Sequence, residues 1–442
     1  MSAHALVMPA RRGACPGLSA PMPTGDGLLV RLLPIGTISL AAFAALCRAA
    51  RRHGNGVIEI TSRGSVQMRG LSNETTPQFA AEIAALDIAA NDGVPILCNP
   101  LAGIDAEEIL DSAALAAELR RALAVTTLAK KLGAKVSVAI DGGGAIGLAK
   151  LPADIRLTVD RDNGRSSLRI AVGGDEASAG LLGVVASSDA VIAATKLLEA
   201  LAKRGPDARA RDIVATEGVK PFRSAIADLL TSAHSRDSGN PALGPRFPAD
   251  ERSARGAIGA RPLRGGSLAC GVGLAFGHSD AAALERLVAI AEAAGASGFR
   301  TAPGRALLIL GLAPRSASAF VAAAEHLGFV VRANDPRRNV VACAGAPICA
   351  SAHIAARALA PRVAEQIAPY CGDGSTVHIS GCAKGCAHAA PAALTMVGTL
   401  DGCALVADGS ARDAPFALVT SNELPEAIAR FARERKWEVA HG

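Results

Sequence analysis

The sequence predicts an α+β fold made of two similar halves, each a ferredoxin-like half-barrel followed by a second α+β module. An order of strand, helix, strand, strand occurs near the start of the chain and again after residue 266. Gly70-Leu71, at the end of the last of these strands, recurs as Gly311-Leu312, 241 positions later. Cys98 recurs as Cys343, 245 positions later, and each follows a short apolar strand. A repeat of this kind predicts a pseudo-twofold molecule.

Short apolar stretches predict the strands of the two half-barrels, and alanine-rich stretches predict their helices. A turn at Arg63-Gly64 separates the second strand of the first half from the third, and 303–305 is the matching turn of the second half. The predicted strands are 28–33, 57–61, 66–69, 267–276, 298–301 and 306–310, and the predicted helices are 40–52 and 281–294.

Each half continues with a helix, a strand, a loop, two strands and a final helix. The loop of the first half is rich in glycine, whereas the loop of the second half carries cysteines. The elements are 106–132, 135–140, 155–159, 167–172 and 190–203 in the first half, and 350–367, 376–380, 393–397, 404–407 and 423–434 in the second.

These patterns divide the chain into five parts. We expect 206–266 to be a surface linker, because it is rich in Pro, Gly, Ser, Arg and Asp, with one helix at 222–232. The other parts are the first ferredoxin-like half domain, 15–100, its α+β module, 101–205, the second half domain, 267–340, and the second module, 341–442.

The composition limits the classes of function. Aromatic residues make up 3% of the 442 residues, which disfavours stacking platforms for nucleic acid bases. A net charge of +6 is small for a nucleic-acid partner but suits a polyanionic small molecule. The sequence shows no apolar run long enough to cross a membrane and no secretory leader. We therefore expect a cytoplasmic protein with neither nucleic-acid nor membrane partners.

Four of the ten cysteines form two close pairs. Cys343 and Cys349 are spaced C-x5-C, and Cys382 and Cys386 are spaced C-x3-C, on small-residue loops after predicted strands. Four thiolates match the requirement of a [4Fe–4S] cluster. A zinc site and unrelated buried cysteines remain alternatives, although structural zinc sites usually have tighter pairs. Cys371 is a spare candidate ligand.

The two cysteine pairs resemble the signature of the nitrite and sulfite reductase superfamily, whose members hold a [4Fe–4S] cluster against a tetrapyrrole. Within it, Thr24-Gly-Asp-Gly-Leu-Leu-Val-Arg31 and Ser380-Gly-Cys-Ala-Lys-Gly-Cys-Ala-His388 most resemble the precorrin-3B synthase family. The resemblance implies that Cys343, Cys349, Cys382 and Cys386 bind the cluster.

Differences between this sequence and the siroheme-dependent reductases of the superfamily favour the precorrin-3B synthase family. Those reductases carry a Leu-Pro-Arg-Lys-Phe-Lys-like stretch, but here Asp154 and Arg156 stand at the two lysine positions. The arginine that they carry shortly before the residue matching Cys98 is also absent, whereas Arg63 persists. Reduction of a small oxyanion needs several positive charges around it.

The resemblance implies a monooxygenase of cobalamin biosynthesis. It would use O2 to hydroxylate C20 of precorrin-3A and close a γ-lactone, giving precorrin-3B. A separate NADH-linked donor would supply the electrons, because Gly142–Gly147 has G-x-G-x-x-G spacing but precedes a strand instead of a nucleotide-binding helix. The alternatives are a nitrite or sulfite reductase with bound siroheme and a non-catalytic cluster or tetrapyrrole carrier.

Candidate residues for the tetrapyrrole follow from its carboxylates, which the planar fork of arginine binds well. Arg63 matches a superfamily position that faces the tetrapyrrole, and we expect it to be catalytic. The candidate substrate-binding residues are Arg31, Arg63, Arg69, Arg156 and Arg305. The resemblance also implies a mononuclear non-haem iron to activate O2, for which His378 and His388 are the candidate ligands.

Overall fold

A computed structural model describes residues 16–160, 167–231, 256–369, 376–420 and 422–434. It confirms the predicted α+β class. Four sheets form two half-barrels and two modules, and the two modules have the same strand order. No helix in the described part of the chain is long and apolar enough to span a membrane.

The first half-barrel has the antiparallel strand order β1-β2-β4-β3. Along β4, Val66 and Met68 enter the core, whereas Gln67 and Arg69 lie on the opposite face, as the two-residue period of a strand requires. The side chain of Ser39 caps α1 by accepting a hydrogen bond from the backbone N–H of Ala42. The elements are β1 Met22–Thr24, β2 Gly27–Leu32, α1 Leu40–His53, β3 Val57–Ile60, β4 Val66–Leu71 and α2 Thr75–Ala84.

The second half-barrel repeats this order and shares one core with the first. Phe43 of the first half and Phe299 of the second half stack in this core with ring centroids 4.6 Å apart. One strand of the second half, β12, crosses to pair with β3 and becomes the fifth strand of the first sheet. The elements are β10 Gly259–Pro262, β11 Leu268–Gly273, β12 His278–Asp280, α8 Ala281–Ala293, β13 Gly298–Ala302, β14 Ala306–Leu312 and α9 Pro314–His326.

Each module is a five-stranded sheet with three parallel strands followed by two antiparallel ones. The first module contains β5 Ile96–Cys98, α3 Ser112–Ala124, α4 Leu128–Lys131, β6 Val138–Asp141, β7 Ala153–Val159, β8 Ser167–Gly174, β9 Gly180–Ala186, α5 Ala190–Ala202, α6 Ala210–Glu217 and α7 Lys220–Ala225. The second contains β15 Val340–Ala342, α10 Ala356–Ile367, β16 Val377–Ser380, β17 Ala392–Thr399, β18 Gly402–Gly409, β19 Ala417–Val419 and α11 Leu424–Glu434.

The predictions differ from the structure mainly in the helix at 106–132, in the linker at 206–266 and in the helix at 222–232. The helix predicted at 106–132 is divided between α3 and α4, where the hydroxyl of Thr126 donates to the carbonyl of Leu123 and competes with the helical pattern. Part of the predicted linker is folded, because Phe222 and Ile226 bury their side chains in the core of the first module. The helix predicted at 222–232 is α7, which ends at Ala225.

Candidate functional site

The structure brings the two cysteine pairs to one edge of the second module. Cys343 follows β15 and Cys382 follows β16, and these neighbouring strands run parallel, so both loops leave the sheet at the same edge. The loops are tied together by backbone bonds, since the N–H of His353 donates to the carbonyl of Gly381 at 2.8 Å. The N–H of Gly381 in turn donates to the sulfur of Cys343 at 3.0 Å.

The first half-barrel closes over the cysteine loops through Gly25. The N–H of Ala350 donates to the carbonyl of Gly25 at 2.9 Å. A Cβ on Gly25 would lie 2.2 Å from the sulfur of Cys349, so a side chain at residue 25 would displace this sulfur. The stretch Thr24–Arg31, singled out from the sequence, therefore lies against the cysteines.

The thiols share one electrostatic environment. Burial is the largest effect on Cys343 and Cys386 and raises the pKa of both thiols, and neighbouring cysteines raise them further. Backbone N–H groups of Gly381 and Gly345 act in the opposite direction at Cys343, as do Arg69 and Lys384 at Cys386. The loops thus supply hydrogen-bond donors and positive charge to sulfur.

This donor set fits a [4Fe–4S] cluster, which has four thiolate ligands and is tuned by hydrogen bonds to sulfur. In the part of the chain that the structure describes, no three His, Cys, Asp or Glu side chains are grouped to hold a single metal ion. A cluster does not require such a group, because each thiolate binds a different iron atom. Cys371 lies outside the described residues.

A polar wall on the outer face of the first half-barrel faces the cysteine loops. Arg31, Gln67 and Glu59 lie side by side on β2, β4 and β3. With the Gln67 amide oriented to suit its neighbours, its oxygen accepts from Nε of Arg31 at 2.9 Å and its nitrogen donates to Glu59 at 3.0 Å. Arg31 is thereby held at the surface of the wall.

Arg69 is the anchor of this wall. Its Nε and Nη2 each lie 2.8 Å from a carboxylate oxygen of Asp26, a fork-to-fork pair, and its Nη1 lies 3.5 Å from Glu59. The Asp26 side chain is fully buried. The fork predicted to bind substrate is therefore occupied by two carboxylates of the protein itself.

Arg357, which the sequence analysis did not single out, contributes unused donors to the same wall. Its Nη2 donates to Glu59 at 2.9 Å. Its Nε and Nη1 are buried without a hydrogen-bond partner among the described residues, as is Nδ1 of His278 on β12. Buried donors are nearly always satisfied in folded proteins, so these atoms indicate a ligand. Arg357 lies in the first turn of α10, where no sequence pattern identifies it as a binding residue.

The two candidate histidines lie together behind the cysteine loop. Their ring centroids are 5.8 Å apart. His378 is fully buried, and neither of its ring nitrogens has a partner among the described residues. Burial, followed by His388 and Arg305, lowers the pKa of His378 to about 4, so its ring is neutral at pH 7. Burial also lowers the pKa of Arg305, which reaches this group from the turn of the second half-barrel.

Arg63 and Arg156 contact the first module. Arg63 donates to the hydroxyl of Ser137 at 3.1 Å and to the carbonyl of Pro152 at 2.8 Å. Arg156 is 2% exposed and donates to the carbonyls of Leu148 and Leu151, which braces the loop before β7. The predicted roles of both residues in substrate binding remain predictions.

The pseudo-twofold counterpart of the polar wall is mostly apolar. The β2–β4 and β11–β14 pairs have a bulge at the same place, which fixes the correspondence between their residues. Leu101 and Ile146 of the first module pack against the second half-barrel in an apolar cluster. Gly271, Leu308 and Leu310 occupy the places of Arg31, Gln67 and Arg69. The asymmetry places one polar site beside the cysteines.

Comparisons with known proteins agree with this architecture. Residues 20–86 match the family described as the nitrite/sulfite reductase ferredoxin-like half domain. The structure of the Mycobacterium tuberculosis NirA protein is similar with a TM-score of 0.69 and 22% identity, over 94% of this chain and 82% of that one. A sulfite reductase [ferredoxin] 2 of Mycolicibacterium paratuberculosis is 24% identical over 90% of this chain and 77% of its own length. The fold and cysteine site define a member of the nitrite and sulfite reductase superfamily.

A relative of higher sequence identity identifies the family within this superfamily. A precorrin-3B synthase of Sinorhizobium sp. is 41% identical over 426 residues, which is 96% of this chain and 88% of the relative. The chain belongs to the precorrin-3B synthase family, a family of oxidoreductase-type enzymes of cobalamin biosynthesis.

Proposed function

We propose that this chain is an O2-dependent monooxygenase that converts precorrin-3A to precorrin-3B. One oxygen atom of O2 would enter at C20, and the other would leave as water with two electrons and two protons from an NADH-linked donor. As the C1–C20 double bond is consumed by oxygen insertion at C20, the carboxylate of the ring A acetate would add to C1 and close the γ-lactone, so that the product gains one oxygen atom. The observation that carries the proposal is the convergence of four cysteines on one polar wall, whose twofold counterpart has Gly271, Leu308 and Leu310 in place of Arg31, Gln67 and Arg69.

Cys343, Cys349, Cys382 and Cys386 would hold a [4Fe–4S] cluster, which supplies single electrons when bound. The described residues do not complete a site of two histidines and one carboxylate around His378 and His388. The buried, neutral ring of His378 would instead offer its unpartnered nitrogens to a group held at the cysteine loop.

The polar wall would bind and orient the tetrapyrrole. Nε and Nη1 of Arg357 are available for a carboxylate, and Arg31 adds a second cation held in position by Gln67. Arg69 would keep the wall in shape through Asp26 instead of binding substrate. Because the wall is buried between a half-barrel and the cysteine module, bulk water would be excluded from the reacting carbon.

The positions that differ from siroheme reductases argue against oxyanion reduction. Asp154 is 1% exposed. Its carboxylate accepts hydrogen bonds from Nε and Nη2 of Arg209 and from the backbone N–H groups of Ser137 and Ala210. Arg156 directs its guanidinium to backbone carbonyls. Neither position supplies a cation to a small oxyanion, which disfavours the siroheme alternative.

The test combines the spectrum of the purified protein with turnover. Anaerobically purified protein should contain four irons and four acid-labile sulfides and lack the Soret and red bands of siroheme. With O2 and an NADH-linked reductase it should convert precorrin-3A to a product with the mass of the hydroxylated lactone. Nitrite or sulfite reduction with bound siroheme, and no such product, would contradict the proposal.

Arg357 provides the sharper test of the binding mode. Arg357→Gln should raise KM for precorrin-3A by about tenfold or more, since a charge-assisted bond contributes about 1.5–3 kcal/mol. Arg357→Lys should restore part of the loss, because lysine keeps the charge and loses the fork. Arg332, an exposed arginine that pairs with Glu325, provides the control Arg332→Gln.

A further inference from the structure

A second cavity, away from the cysteine loops, combines three guanidinium groups with an apolar wall. It has a volume of about 160 Å³ and lies where the two half-barrel turns meet the first module. Arg63, Arg120 and Arg300 line it together with the Cys98 thiol, and Leu33, Ile35, Ile96 and Leu97 form the apolar part. None of the lining residues comes from the cysteine module.

Arg120 and Arg300 converge on Cys98 while their described hydrogen bonds go to neutral atoms. Arg120 donates to the side-chain oxygen of Asn91 at 3.3 Å and to the carbonyl of Ile96 at 2.8 Å. Arg300 donates to the hydroxyl of Thr37 at 2.9 Å and to the carbonyls of Pro100 and Ala102 at 3.2 and 2.9 Å. Both guanidinium groups are thus held in fixed positions.

The two arginines have no carboxylate at salt-bridge distance among the described residues. The carboxylate whose charge reaches Arg300 is that of Glu108. Both of its oxygens are already occupied, one by Ser112 and the other by the N–H of Gly103. Burial accordingly lowers the pKa of both guanidinium groups, as expected for cations whose charge is not neutralised.

The pseudo-twofold repeat shows that this charge is specific to the cavity. Arg300 on β13 pairs with Leu308 as Glu59 on β3 pairs with Gln67, so the two residues occupy equivalent places. At the cysteine site, the acid Glu59 neutralises arginines. In the cavity, Arg300 occupies the place that Glu59 has at the cysteine site, so this position carries a positive charge instead of a negative one.

We propose that this cavity binds a small organic carboxylate, with the carboxylate between Arg120 and Arg300 and its carbon chain against Ile96 and Leu97. Arginine forks suit carboxylates, and the apolar wall would be left without a partner by an inorganic anion. The cavity adjoins Arg63, which is proposed to act on the tetrapyrrole, but the inference rests on Arg120 and Arg300 and stands whether or not the monooxygenase proposal holds.

Calorimetric titration of the full-length protein with glutarate tests the proposal, with glutaramide as its uncharged counterpart and inorganic phosphate as the purely polar anion. Glutarate should bind at least about tenfold more tightly than either. Arg120→Gln and Arg300→Gln should each weaken glutarate binding by about tenfold or more, whereas Arg332→Gln should not. Equal binding of glutaramide, or glutarate affinity unchanged in both cavity variants, would overturn the proposal.

A second measurement needs no variant and covers the case in which the substitutions unfold the loops. Glutarate should slow alkylation of Cys98 in the wild-type protein, as followed by mass spectrometry, and glutaramide should not. Alkylation at the same rate with and without glutarate would contradict the site. Competition between glutarate and a porphyrin polycarboxylate would identify a tetrapyrrole arm as the source of the carboxylate, and absence of competition would identify a free small carboxylate.

Discussion

Gly25 and Cys349 are packed so closely that a Cβ at residue 25 would lie 2.2 Å from the cysteine sulfur. We expect Gly25→Ala to lower the iron and sulfide content of the protein to less than half, because a sulfur that binds a cluster cannot move aside. Gly17→Ala is the matched control, since a Cβ there would meet no atom within 4 Å. Full iron content in Gly25→Ala would show that Cys349 is not held at the cluster.

Cys382→Ser and Cys386→Ser should each abolish cluster assembly, because a hydroxyl oxygen is a poor substitute for a soft thiolate ligand. Cys47→Ala and Cys270→Ala should keep the full iron content, since both thiols are buried in the shared half-barrel core. Iron and acid-labile sulfide analysis distinguishes the two groups. A colourless but folded Cys47 or Cys270 variant would show that the ligand set is wrong.

Asp26→Ala should destabilise the protein by about 3–5 kcal/mol, because it leaves the Arg69 guanidinium buried without its fork-to-fork partner. Asp228→Ala, which breaks an exposed pair with Lys196, should have a much smaller effect, because solvent screens this pair. Urea denaturation midpoints at pH 7 provide the comparison. Equal effects of the two substitutions would mean that the Arg69 pair is not an anchor.

As the pH falls, protonation of His378 should lower the free energy of unfolding before Asp26 is protonated. The pKa of His378 is lowered from 6.5 to about 4, so between these values the unfolded chain binds a proton that the folded chain does not. Stability is therefore lost as the pH falls from 6.5 towards 4, by about 2 kcal/mol at pH 5. Burial acts first on the pKa of Asp26 and raises it, but bonds and charge from Arg69 bring it below 3.8, so its contribution is lost at lower pH.

His378→Gln should remove its share of this loss between pH 7 and pH 5, as measured by urea denaturation at the two values. Burial also lowers the pKa of His278 to about 4, so the share due to His278 should stay. His326→Gln provides the control, because the side chain of His326 is exposed at the end of α9. An unchanged pH dependence in His378→Gln would exclude this histidine as the group responsible.

Arg63→Ala should lower kcat/KM for precorrin-3A by about 10- to 150-fold, the range expected for one lost charge-assisted bond. Arg63→Lys should rescue only part of this activity. Because Arg63 also ties a half-barrel turn to Ser137, the thermal midpoint is measured alongside. Near wild-type turnover in Arg63→Ala would show that Arg63 takes no part in the binding or conversion of precorrin-3A.

Local sequence patterns predicted the half-barrels closely because apolar alternation and glycine turns act over a few residues. The helix predicted at 40–52 is observed at Leu40–His53, and the strand predicted at 57–61 is observed at Val57–Ile60. The meeting of the cysteine loops was also predictable, since both pairs follow neighbouring strands.

Contacts between segments that are far apart in the sequence could not be predicted from local patterns. The pairing of β12 with β3 joins segments roughly 220 residues apart, and His-Ser-Asp has no apolar alternation. Arg357 reaches Glu59 only because α10 lies over the first half-barrel. Arg69 matched the chemistry of a substrate ligand, but its partner Asp26 was visible only in the folded chain.

The crossing of β12 has a consequence for synthesis on the ribosome. Strand β3 is complete at residue 60, yet the strand that covers its free edge ends at residue 280. At about 5–20 residues per second, translation of the intervening segment takes about 10–45 s. During that time an apolar strand edge is open to other nascent chains. Slower elongation would lengthen this exposure, so the yield of folded protein should depend on translation speed and on chaperones that bind the emerging first half.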